Sequence, residues 1–359
     1  MSSQRILALT KYGRLGASSR LRTFQYLPSL KDARLDVTVQ CMLEDDQLQG
    51  RYTRGSYDAG RVLHSYVKRV KVLLQRHSFG LLWIEKEALQ WCPLWIERGL
   101  LSGVPYVLDY DDAVFHNYDM HRVPLVRRLY GQRLDALMAR ASLVISGNEY
   151  LAQRARSAGA SWVETLPTVI DLDRYSASPR PAPQTSELRV VWIGSPSTVK
   201  YLHGISRELQ AVAHAVPFVL RVIGGGIVQI PGVRSESMNW SEASEVEQLQ
   251  SADVGIMPLD DTPWERGKCG YKLIQYMACG LPVVGSAVGA NNDIVVDRTT
   301  GFLARDSAQW VGALSSLLLD KNLRQTMGVA GRKRVESSFC IQKTGPRLVN
   351  MLKTVGGFQ

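Results

Sequence analysis

The hydrophobic positions of the chain fall largely in short runs of the kind that a parallel sheet buries. Leu81–Glu85 and Pro105–Asp109 are apolar without alternation, a pattern typical of strands covered on both faces. Further strands are predicted at Arg5–Thr10, Asp36–Gln40, Ser142–Ser146, Trp162–Leu166, Leu188–Ile193, Phe218–Ile223, Asp253–Pro258 and Pro282–Gly285.

Longer amphipathic stretches between these strands predict helices. They are expected at Leu21–Leu30, Tyr57–Arg76, Arg122–Arg140, Asn148–Gly159 and Gln342–Val355. The alternation of strands and helices predicts an α/β protein made of two doubly wound, Rossmann-like halves. A length of 359 residues also favours two domains over one.

A stretch rich in Pro, Ser and Ala, Ser176–Ser186, separates the two halves and is typical of a linker. We therefore predict an N-terminal domain at 1–175, a linker at 176–187 and a C-terminal domain at 188–340. Residues 341–359 are predicted to form a C-terminal helix that packs back on the N-terminal domain.

One stretch, Gly267–Gly289, has the residue types of a phosphate-binding loop. Gly267, Lys268, Gly270 and Lys272 precede an apolar helix, and a turn and a short buried strand follow. Glycines permit close approach of a ligand, and a helix start presents N–H groups and a positive dipole end. Beside two lysines this arrangement suits a pyrophosphate. Taken alone, these residue types favour an ordinary loop and helix of an α/β domain over a ligand site.

Two other loops follow predicted strands at the end where α/β proteins bind ligands. The loop after the first strand contains Gly16, Ser19 and Arg20, which suit either a phosphate contact or a capped helix start. The loop after Pro105–Asp109 contains Asp112 and His116. A lone histidine is often structural, but this position favours a functional one.

The charge balance narrows the class of partner. A net charge of +10 and a pI of about 9.4 favour nucleotide phosphates, anionic lipid or nucleic acid. The predicted helix Tyr57–Arg76 is rich in Lys and Arg, which indicates either a solvated basic face or, as we prefer, a face on anionic lipid. Nucleic acid is not expected, because no stacking aromatics are interleaved with these basic residues.

Cysteine usage and hydropathy bear on the compartment. The five cysteines are scattered without metal-ligand spacing, so reduced thiols and a cytosolic setting are expected. The N-terminal apolar run is too short for a signal peptide, and no apolar run is long enough to span a bilayer. The expectation is a cytoplasmic protein, peripheral at the inner face of the membrane.

Four segments of the chain resemble the retaining glycosyltransferases of GT-B fold, family 4. They are Leu166–Asp173 at the domain exit, Asp253–Pro258 as the strand before the donor loop, Gln275–Val284 as the donor helix and strand, and the turn Gly301–Leu303. The resemblance implies a GT-B fold, in which two Rossmann-like doubly wound domains face each other across a cleft.

The chain departs from the family pattern at its charged positions. Gly267 and Gln275 stand where the family has two glutamates, and Ser195 stands where it has an arginine, whereas Lys200 matches the family lysine. Gln275 still has groups to bond a ribose. Glu265 is a weaker candidate to replace the acid missing at 267.

The resemblance implies transfer of a hexosyl group from a nucleotide sugar to a hydroxyl with retention, and it implies no metal. His116, Asp112, Lys268 and Lys200 are the catalytic candidates. The predicted donor-binding residues are Gly16, Ser19, Arg20, Gly194, Ser195, Lys200, Gly267, Lys268, Gly270, Tyr271, Lys272 and Gln275. Asp109-Tyr110-Asp111 spells the metal-binding triplet of a different glycosyltransferase fold, but the flanking motifs argue against a metal there.

A basic N-terminal domain suits a lipid-linked acceptor, namely a polyprenyl-pyrophosphate-linked glycan. That acceptor would place the enzyme in bacterial surface polysaccharide assembly: exopolysaccharide, capsule or lipopolysaccharide. Two alternatives remain open. One is a sugar-nucleotide 2-epimerase of GT-B fold, and the other is a non-catalytic partner subunit that keeps the fold.

Overall fold

The computed structural model describes residues 4–175 and 187–358, and these form two compact domains. The first domain comprises Met1–Thr168 with Gly267–Cys269 and Ile341–Gln359, and the second comprises Val169–Arg266 with Gly270–Cys340. The predicted linker at 176–187 lies, apart from residue 187, outside the described residues. The first three residues of the predicted phosphate-binding stretch Gly267–Gly289 therefore belong to the first domain.

Each domain is built on a six-stranded parallel sheet. The first sheet has the order β2-β1-β3-β4-β5-β6 and the second the order β12-β11-β10-β7-β8-β9. The first sheet contains β1 (Arg5–Tyr12), β2 (Asp36–Leu43), β3 (Leu81–Glu85), β4 (Tyr106–Tyr110), β5 (Leu143–Ser146) and β6 (Val163–Thr165). The second contains β7 (Arg189–Ile193), β8 (Val219–Ile223), β9 (Arg234–Met238), β10 (Val254–Met257), β11 (Val283–Ser286) and β12 (Gly301–Ala304).

Helices cover the sheets. In the first half of the chain they are α1 (Ala17–Arg22), α2 (Leu27–Asp32), α3 (Asp45–Arg54), α4 (Ala59–Leu74), α5 (Leu94–Leu101), α6 (His116–Asp119), α7 (Pro124–Tyr130), α8 (Arg133–Met138) and α9 (Glu149–Ser157). Then follow α10 (Val199–Gly204), α11 (Ser206–Ala215), α12 (Glu245–Gln250), α13 (Pro263–Arg266), α14 (Tyr271–Ala278), α15 (Asn291–Ile294), α16 (Ser307–Leu319), α17 (Lys321–Ser338) and α18 (Ile341–Gly356). Short 3₁₀ turns occur at Phe24–Tyr26, Arg76–Ser78 and Pro196–Thr198.

The apolar runs became strands because both faces of each sheet are covered. Every residue of β3 and β4 is buried, which explains why their sequences do not alternate. The edge strand β9, of sequence RSESM, was not predicted because its residues are polar and mostly exposed or half-buried. Backbone pairing with the buried β8 stabilises it instead.

Several predicted elements differ from the observed ones. The helix expected at Leu21–Leu30 is broken into α1, a 3₁₀ turn and α2, where Pro28 occupies the first turn of α2. The single helix expected at Arg122–Arg140 is two, α7 and α8. The predicted turn Gly301–Leu303 is part of strand β12, which pairs with β11.

The C-terminal helix α18 belongs to the first domain. Tyr26 Oη lies 2.8 Å from Thr344 Oγ1 in a buried hydrogen bond between the start of α2 and α18. Across the described chain, no helix has both the length and the apolar character that crossing a bilayer requires.

Candidate functional site

The carboxyl ends of β1, β3 and β4 meet at one edge of the first sheet, because these strands are adjacent and parallel. Four charged side chains collect there, and we call them the acidic cluster. They are Glu85, Lys86, Asp111 and Asp112. Ser18 Oγ joins them, 2.7 Å from Glu85 Oε1 and 2.5 Å from Asp111 Oδ2. A single hydroxyl proton can serve only one of these carboxylates at a time.

Lys86 is the centre of the acidic cluster. Its Nζ lies 2.8 Å from Asp111 Oδ1 and 3.8 Å from both Asp112 Oδ2 and Glu85 Oε1. Burial alone would lower the pKa of Lys86, but the surrounding carboxylates outweigh it and raise that pKa. The backbone of Lys86 has φ +64°, an uncommon conformation for a residue with a side chain. Such strain occurs more often at functional sites than elsewhere.

The two aspartates of the acidic cluster differ in their pKa. Burial raises the pKa of both, yet the close contact with Lys86 makes the net shift of Asp111 downward. For Asp112, burial and the charge of Asp111 outweigh Lys86 and Lys268, so its pKa is raised. The Asp112 side chain is 34% exposed, whereas Asp111 is 12% exposed. Asp112 is therefore the carboxylate of this cluster that an incoming ligand can reach.

The segment Gly267–Cys269 packs against the loop that carries Asp111 and Asp112. A Cβ atom on Gly267 would lie 2.4 Å from Ala113 Cβ and 2.8 Å from Ala113 N, so a side chain at 267 would displace backbone. The Cys269 thiol donates to the Asp111 carbonyl at 3.0 Å. This packing gives a physical reason for the absence of the family glutamate at 267.

The same packing brings two predicted catalytic residues together. Lys268 Nζ lies 3.9 Å from Asp112 Oδ1, and the Lys268 carbonyl accepts a 3.0 Å hydrogen bond from Asn148 Nδ2. Asn148 also caps α9 through its side-chain oxygen. Lys268 is thus held at the acidic cluster by its backbone as well as by charge. Burial raises the pKa of the neighbouring Cys269 thiol to about 12, so this thiol is not a nucleophile at neutral pH.

His116 has partners at both ring nitrogens. Nδ1 lies 2.8 Å from Asp119 Oδ1, and Nε2 lies 2.9 Å from Tyr150 Oη. The side chain is 9% exposed. The predicted catalytic role would require one of these bonds to be released, and the observed arrangement is one in which His116 ties α6 to α9.

In the loop after β1, the side chains predicted to contact a phosphate are hydrogen-bonded to other groups of the first domain. Arg20 is buried, and its Nη1 donates to the carbonyls of Arg14 and Leu15 at 3.2 Å each. The Ser19 hydroxyl donates to Glu85 Oε2 at 2.5 Å and accepts from the Tyr12 N–H at 2.9 Å. These contacts differ from the capped-helix alternative, because no side chain caps α1 and Arg20 is buried within the loop.

Gly16 begins the same turn. A Cβ there would lie 2.3 Å from Tyr12 Cβ. The glycine is therefore explained by packing.

The carboxyl edge of the second sheet is built around glycines and one lysine. Lys272, in the first turn of α14, has its Nζ 4.3 Å from the centroid of the Trp192 ring. A Cβ on Gly194, directly after β7, would lie 2.8 Å from that ammonium. The lack of a side chain at Gly194 thus leaves room for the Trp192 ring and the Lys272 ammonium, and a cation is held at the start of a helix.

Gly270 sets the start of α14. Its φ is +63°, and a Cβ there would lie 2.3 Å from Ile294 Cδ1, so both conformation and space require glycine. No side chain caps this helix, and Tyr271 occupies its first position half-buried. The loop, helix, turn and strand predicted over Gly267–Gly289 are confirmed.

The remaining predicted donor contacts after β7 are more exposed. Ser195 is half-buried, with its hydroxyl 2.9 Å from that of Ser197. The Lys200 side chain is 63% exposed, and its Nζ lies 3.9 Å from Glu265 Oε1. The Glu265 carboxylate also accepts from the hydroxyls of Tyr201 and Thr262. Glu265 is buried and engaged in the second domain, which argues against its replacing an acid at 267.

Gln275 lies inside the second domain. It is 3% exposed, and its Nε2 donates to Tyr175 Oη at 2.8 Å. Tyr175 in turn donates to Glu245 Oε1 at 2.7 Å, and Trp240 donates to the other oxygen of Glu245 at 2.7 Å. One N–H of the Gln275 amide is thus engaged, so the predicted ribose contact would use its oxygen or its second N–H.

The two aspartates of the Asp109-Tyr110-Asp111 triplet, at the end of β4, each pair with a basic side chain of the protein. Asp109 receives two hydrogen bonds from Arg22, of 2.9 and 2.6 Å, and Asp111 pairs with Lys86. Burial raises the pKa of Asp109 to about 6 although Arg22 opposes that shift. Within residues 4–175 and 187–358, no three His, Cys, Asp or Glu side chains are grouped so as to hold a metal ion.

Sequence reasoning missed Glu85 and Lys86. A signal existed at β3, where the apolar run LLWI ends in Glu85 followed by Lys86. Charged residues that close a buried strand lie at the edge where α/β proteins bind ligands. No sequence pattern, however, indicated that β3 lies beside β4.

Residues 187–320 match the family model described as Glycosyl transferases group 1. The trehalose synthase of Pyrococcus horikoshii is 33% identical over 115 residues, which are 32% of this chain and 27% of that protein. The capsular polysaccharide biosynthesis glycosyltransferase CapM of Staphylococcus aureus is 34% identical over 94 residues, 26% of this chain and 25% of that protein. The matched segment thus spans about a quarter of the length of these curated relatives.

Solved structures match nearly the whole chain. The sucrose-phosphate synthase of Thermosynechococcus elongatus has a TM-score of 0.73 at 17% identity, over 99% of this chain and 100% of that one. Anabaena Alr3699/HepE in complex with UDP-glucose has a TM-score of 0.71 at 16% identity, over 98% of this chain and 99% of that one. At these identities the likeness establishes the fold, so the predicted α/β fold of GT-B type is confirmed. Residues 187–320 thus match the group 1 glycosyltransferase model, and the chain has the two-domain fold of solved GT-B structures.

Proposed function

We propose that the protein transfers a sugar from a nucleotide-sugar donor to a hydroxyl of a glycan acceptor. The observation that carries the proposal is the position of Lys272. Its ammonium lies beside Gly194 and the Trp192 ring, at the start of α14 and the end of β7. A cation next to a helix start and a glycine suits a phosphate group, and this segment lies within the group 1 glycosyltransferase match.

In the proposed reaction the departing group is the nucleoside diphosphate of the donor. Lys272 and the backbone at the start of α14 stabilise the charge that develops on it. The acceptor oxygen bonds to the anomeric carbon as the bond from that carbon to the phosphate oxygen breaks. The acceptor proton passes to the departing phosphate oxygen on the same face, so the configuration is retained and no protein base is needed.

Asp112 is proposed to receive the acceptor. Its carboxylate is the reachable member of the acidic cluster, and it lies between Lys86 Nζ at 3.8 Å and Lys268 Nζ at 3.9 Å. An ionised carboxylate accepts a hydrogen bond from a sugar hydroxyl and orients that hydroxyl. Lys86 is proposed as a positioning residue because it fixes Asp111 and Asp112 without touching the acceptor.

The two other predicted lysines receive distinct roles. Lys268 is proposed to keep Asp112 ionised and to contact donor or acceptor through its partly exposed ammonium, since its side chain is 20% exposed. Lys200 is proposed as a second phosphate contact from a flexible, 63% exposed side chain. His116 is proposed as a structural residue.

We further propose that the acceptor is a lipid-linked glycan of bacterial surface polysaccharide assembly. Support comes from the net charge of +10 and from a curated relative whose name refers to capsular polysaccharide biosynthesis. The first domain would then work at an anionic membrane surface.

The test is a binding and turnover series on the purified protein. Thermal-shift titration against UDP-, GDP- and ADP-sugars should reveal one that raises the melting temperature, because a ligand that binds the folded state stabilises it. The nuclear magnetic resonance spectrum of the product should then show the donor's anomeric configuration. Failure of every nucleotide sugar to bind would contradict the proposal.

A non-catalytic partner subunit is the second candidate. The close contact of Gly267 with Ala113 leaves no room for the family acid, and both nitrogens of His116 are engaged. This candidate predicts weak nucleotide binding without turnover, whereas an epimerase would convert the donor in the absence of any acceptor.

A further inference from the structure

Large hydrophobic side chains are exposed in the two connections of the first domain that follow β3 and β4, including their helices α5 and α7. We call this set the apolar patch: Trp91, Trp95, Met120, Val123, Leu125 and Leu129. Trp95 is 75% exposed, and Leu125 and Leu129 are 61% and 65% exposed. Exposed apolar groups that lie close together mark an interaction surface, whereas scattered single ones do not.

Helix α7 forms the main part of the apolar patch. None of its residues is buried, although its sequence PLVRRLY is largely apolar. It is tied to the loop after β3 through Tyr130, whose ring centroid lies 6.1 Å from that of Trp91. The Trp91 ring also lies 5.8 Å from the His121 ring. The two connections are therefore neighbours at Trp91.

Positive charge is interleaved with the apolar patch. Arg122, Arg127 and Arg128 are exposed, and no acidic residue occurs between Asp119 and Asp135. Arg127 Nη1 donates to the His121 carbonyl at 2.7 Å, which holds that arginine over the loop. Exposed leucine and tryptophan beside arginine are the composition of a surface that lies in the headgroup region of an anionic bilayer.

The basic helix predicted to lie on lipid is less suited to that role. In α4, Arg69 is buried and donates to the carbonyls of Ala88, Thr10 and Gln40. Two exposed cations of α4 are paired, Arg61 with Asp46 and Lys68 with Glu44. Most basic side chains of α4 are thus already engaged within the protein, which makes the predicted lipid contact at this helix less favourable.

We propose that the apolar patch docks the protein on an anionic lipid bilayer. The proposal rests on the proposed function only in taking the acceptor to be lipid-linked. The loops of the patch leave the same edge of the sheet as Lys86 and Asp112, so docking there brings a bilayer to the side of the domain that receives the acceptor. A second copy of the chain is a poorer occupant, because a symmetric contact would oppose like arginines.

The test is vesicle co-sedimentation at low salt with the full chain. We expect binding to vesicles containing phosphatidylglycerol and little binding to phosphatidylcholine alone. The double variant Leu125→Ser/Leu129→Ser should lower the partition coefficient at least about tenfold, since two aliphatic side chains leave the acyl boundary. Arg122→Gln and Arg128→Gln should each lower it about fivefold at low salt and much less at high salt.

Matched controls come from the second domain. Leu319 is 72% exposed and Arg298 has an 84% exposed side chain, so Leu319→Ser and Arg298→Gln remove similar groups elsewhere. Both should bind vesicles like the wild type. Equal losses in patch and control variants, or full vesicle binding by Leu125→Ser/Leu129→Ser, would overturn the proposal.

Two further readouts separate the possible failures. Size-exclusion chromatography with light scattering detects a dimer, and a dimer abolished by the patch variant without any lipid binding would show that the patch joins two copies. Nucleotide-sugar binding by calorimetry should be unchanged in the patch variant. Loss of vesicle binding with normal donor binding supports docking, whereas a wild type that binds vesicles but no nucleotide sugar contradicts only the proposed function.

Discussion

The carboxyl edges of the two sheets carry different types of residue. At the edge of the first sheet, Glu85, Lys86, Asp111 and Asp112 form a dense charged cluster in which three carboxylates surround one ammonium. At the edge of the second sheet, glycines surround a lysine that lies over an aromatic ring. The same strand-loop-helix architecture therefore supports two kinds of recognition.

The contrast matches the chemistry that each edge is proposed to perform. Orienting a neutral hydroxyl needs hydrogen-bond acceptors in a fixed position, and paired carboxylates provide them. Holding a diphosphate needs backbone N–H groups and cations without competing carboxylates, and a glycine-rich edge provides those. The following experiments test whether the two edges are distinct in this way, beginning with the largest expected effect.

Removing the charge of Arg22 tests how far the first domain depends on buried ion pairs. Arg22 is 1% exposed, bonded to Asp109 and to the Leu166 carbonyl at 2.7 Å. Arg22→Met should lower the free energy of unfolding by about 3–5 kcal/mol, because Asp109 is left buried and unpaired. Urea denaturation measures the change, with exposed Arg298→Met as the control. A loss no greater than that of the control would contradict the role assigned to the pair.

Removing Lys272 tests the second edge. Lys272→Ala should weaken binding of the nucleotide sugar by about 1.5–3 kcal/mol, roughly 10- to 150-fold, because a charged hydrogen bond to phosphate is lost. Calorimetric titration measures the affinity. Exposed Lys321→Ala in α17 is the matched control and should leave affinity unchanged. Equal affinities for Lys272→Ala and wild type would remove the support for a phosphate site here.

Restoring the family acid tests whether the missing glutamate reflects packing. Gly267→Glu should lower the free energy of unfolding by about 1–3 kcal/mol, because its Cβ meets Ala113 Cβ and N. Gly312→Glu in α16, where nothing lies within 4 Å of the added Cβ, should be nearly neutral. A Gly267→Glu variant as stable as wild type, with higher turnover, would show that packing does not exclude the acid.

The smallest expected effect is a shift in the pH dependence of kcat/KM for sugar transfer, caused by a change in the pKa of Asp112. Lys268 lowers the pKa of Asp112 against burial and Asp111, which raise it. Lys268→Gln removes the favourable charge, so the pKa of Asp112 should rise and the carboxylate should be protonated at higher pH. The acid limb of kcat/KM should therefore move to higher pH. Lys71→Gln, on α4, should not move it, and an unmoved limb in Lys268→Gln would contradict the coupling.

The part of the second edge around the start of α14 was predictable because its residues are close in sequence. Gly270, Lys272 and the strand that follows occupy one continuous stretch, so spacing alone defines the loop, the helix and the strand. The partner of Gln275 was not predictable, since Tyr175 is 100 residues away and is brought there only by folding.

The first edge was only partly predictable because its residues come from separate parts of the sequence. Asp112 was identified because it follows an apolar strand, but Lys86 joins it through the adjacency of β3 and β4. His116 follows the same strand, yet its neighbours Asp119 and Tyr150 occupy its nitrogens. Position along a strand indicates which residues reach an edge, whereas the choice of hydrogen-bond partner depends on packing between distant segments.

One calorimetric comparison tests the central claim that donor and acceptor are recognised at different edges. The best nucleotide sugar from the thermal-shift screen is titrated into wild type, Lys272→Ala and Asp112→Asn, and transfer is assayed in the same preparations. We predict that Asp112→Asn binds the donor within about twofold of wild type but transfers poorly, and that Lys272→Ala loses donor affinity. Loss of donor binding in Asp112→Asn together with normal binding in Lys272→Ala would contradict the account.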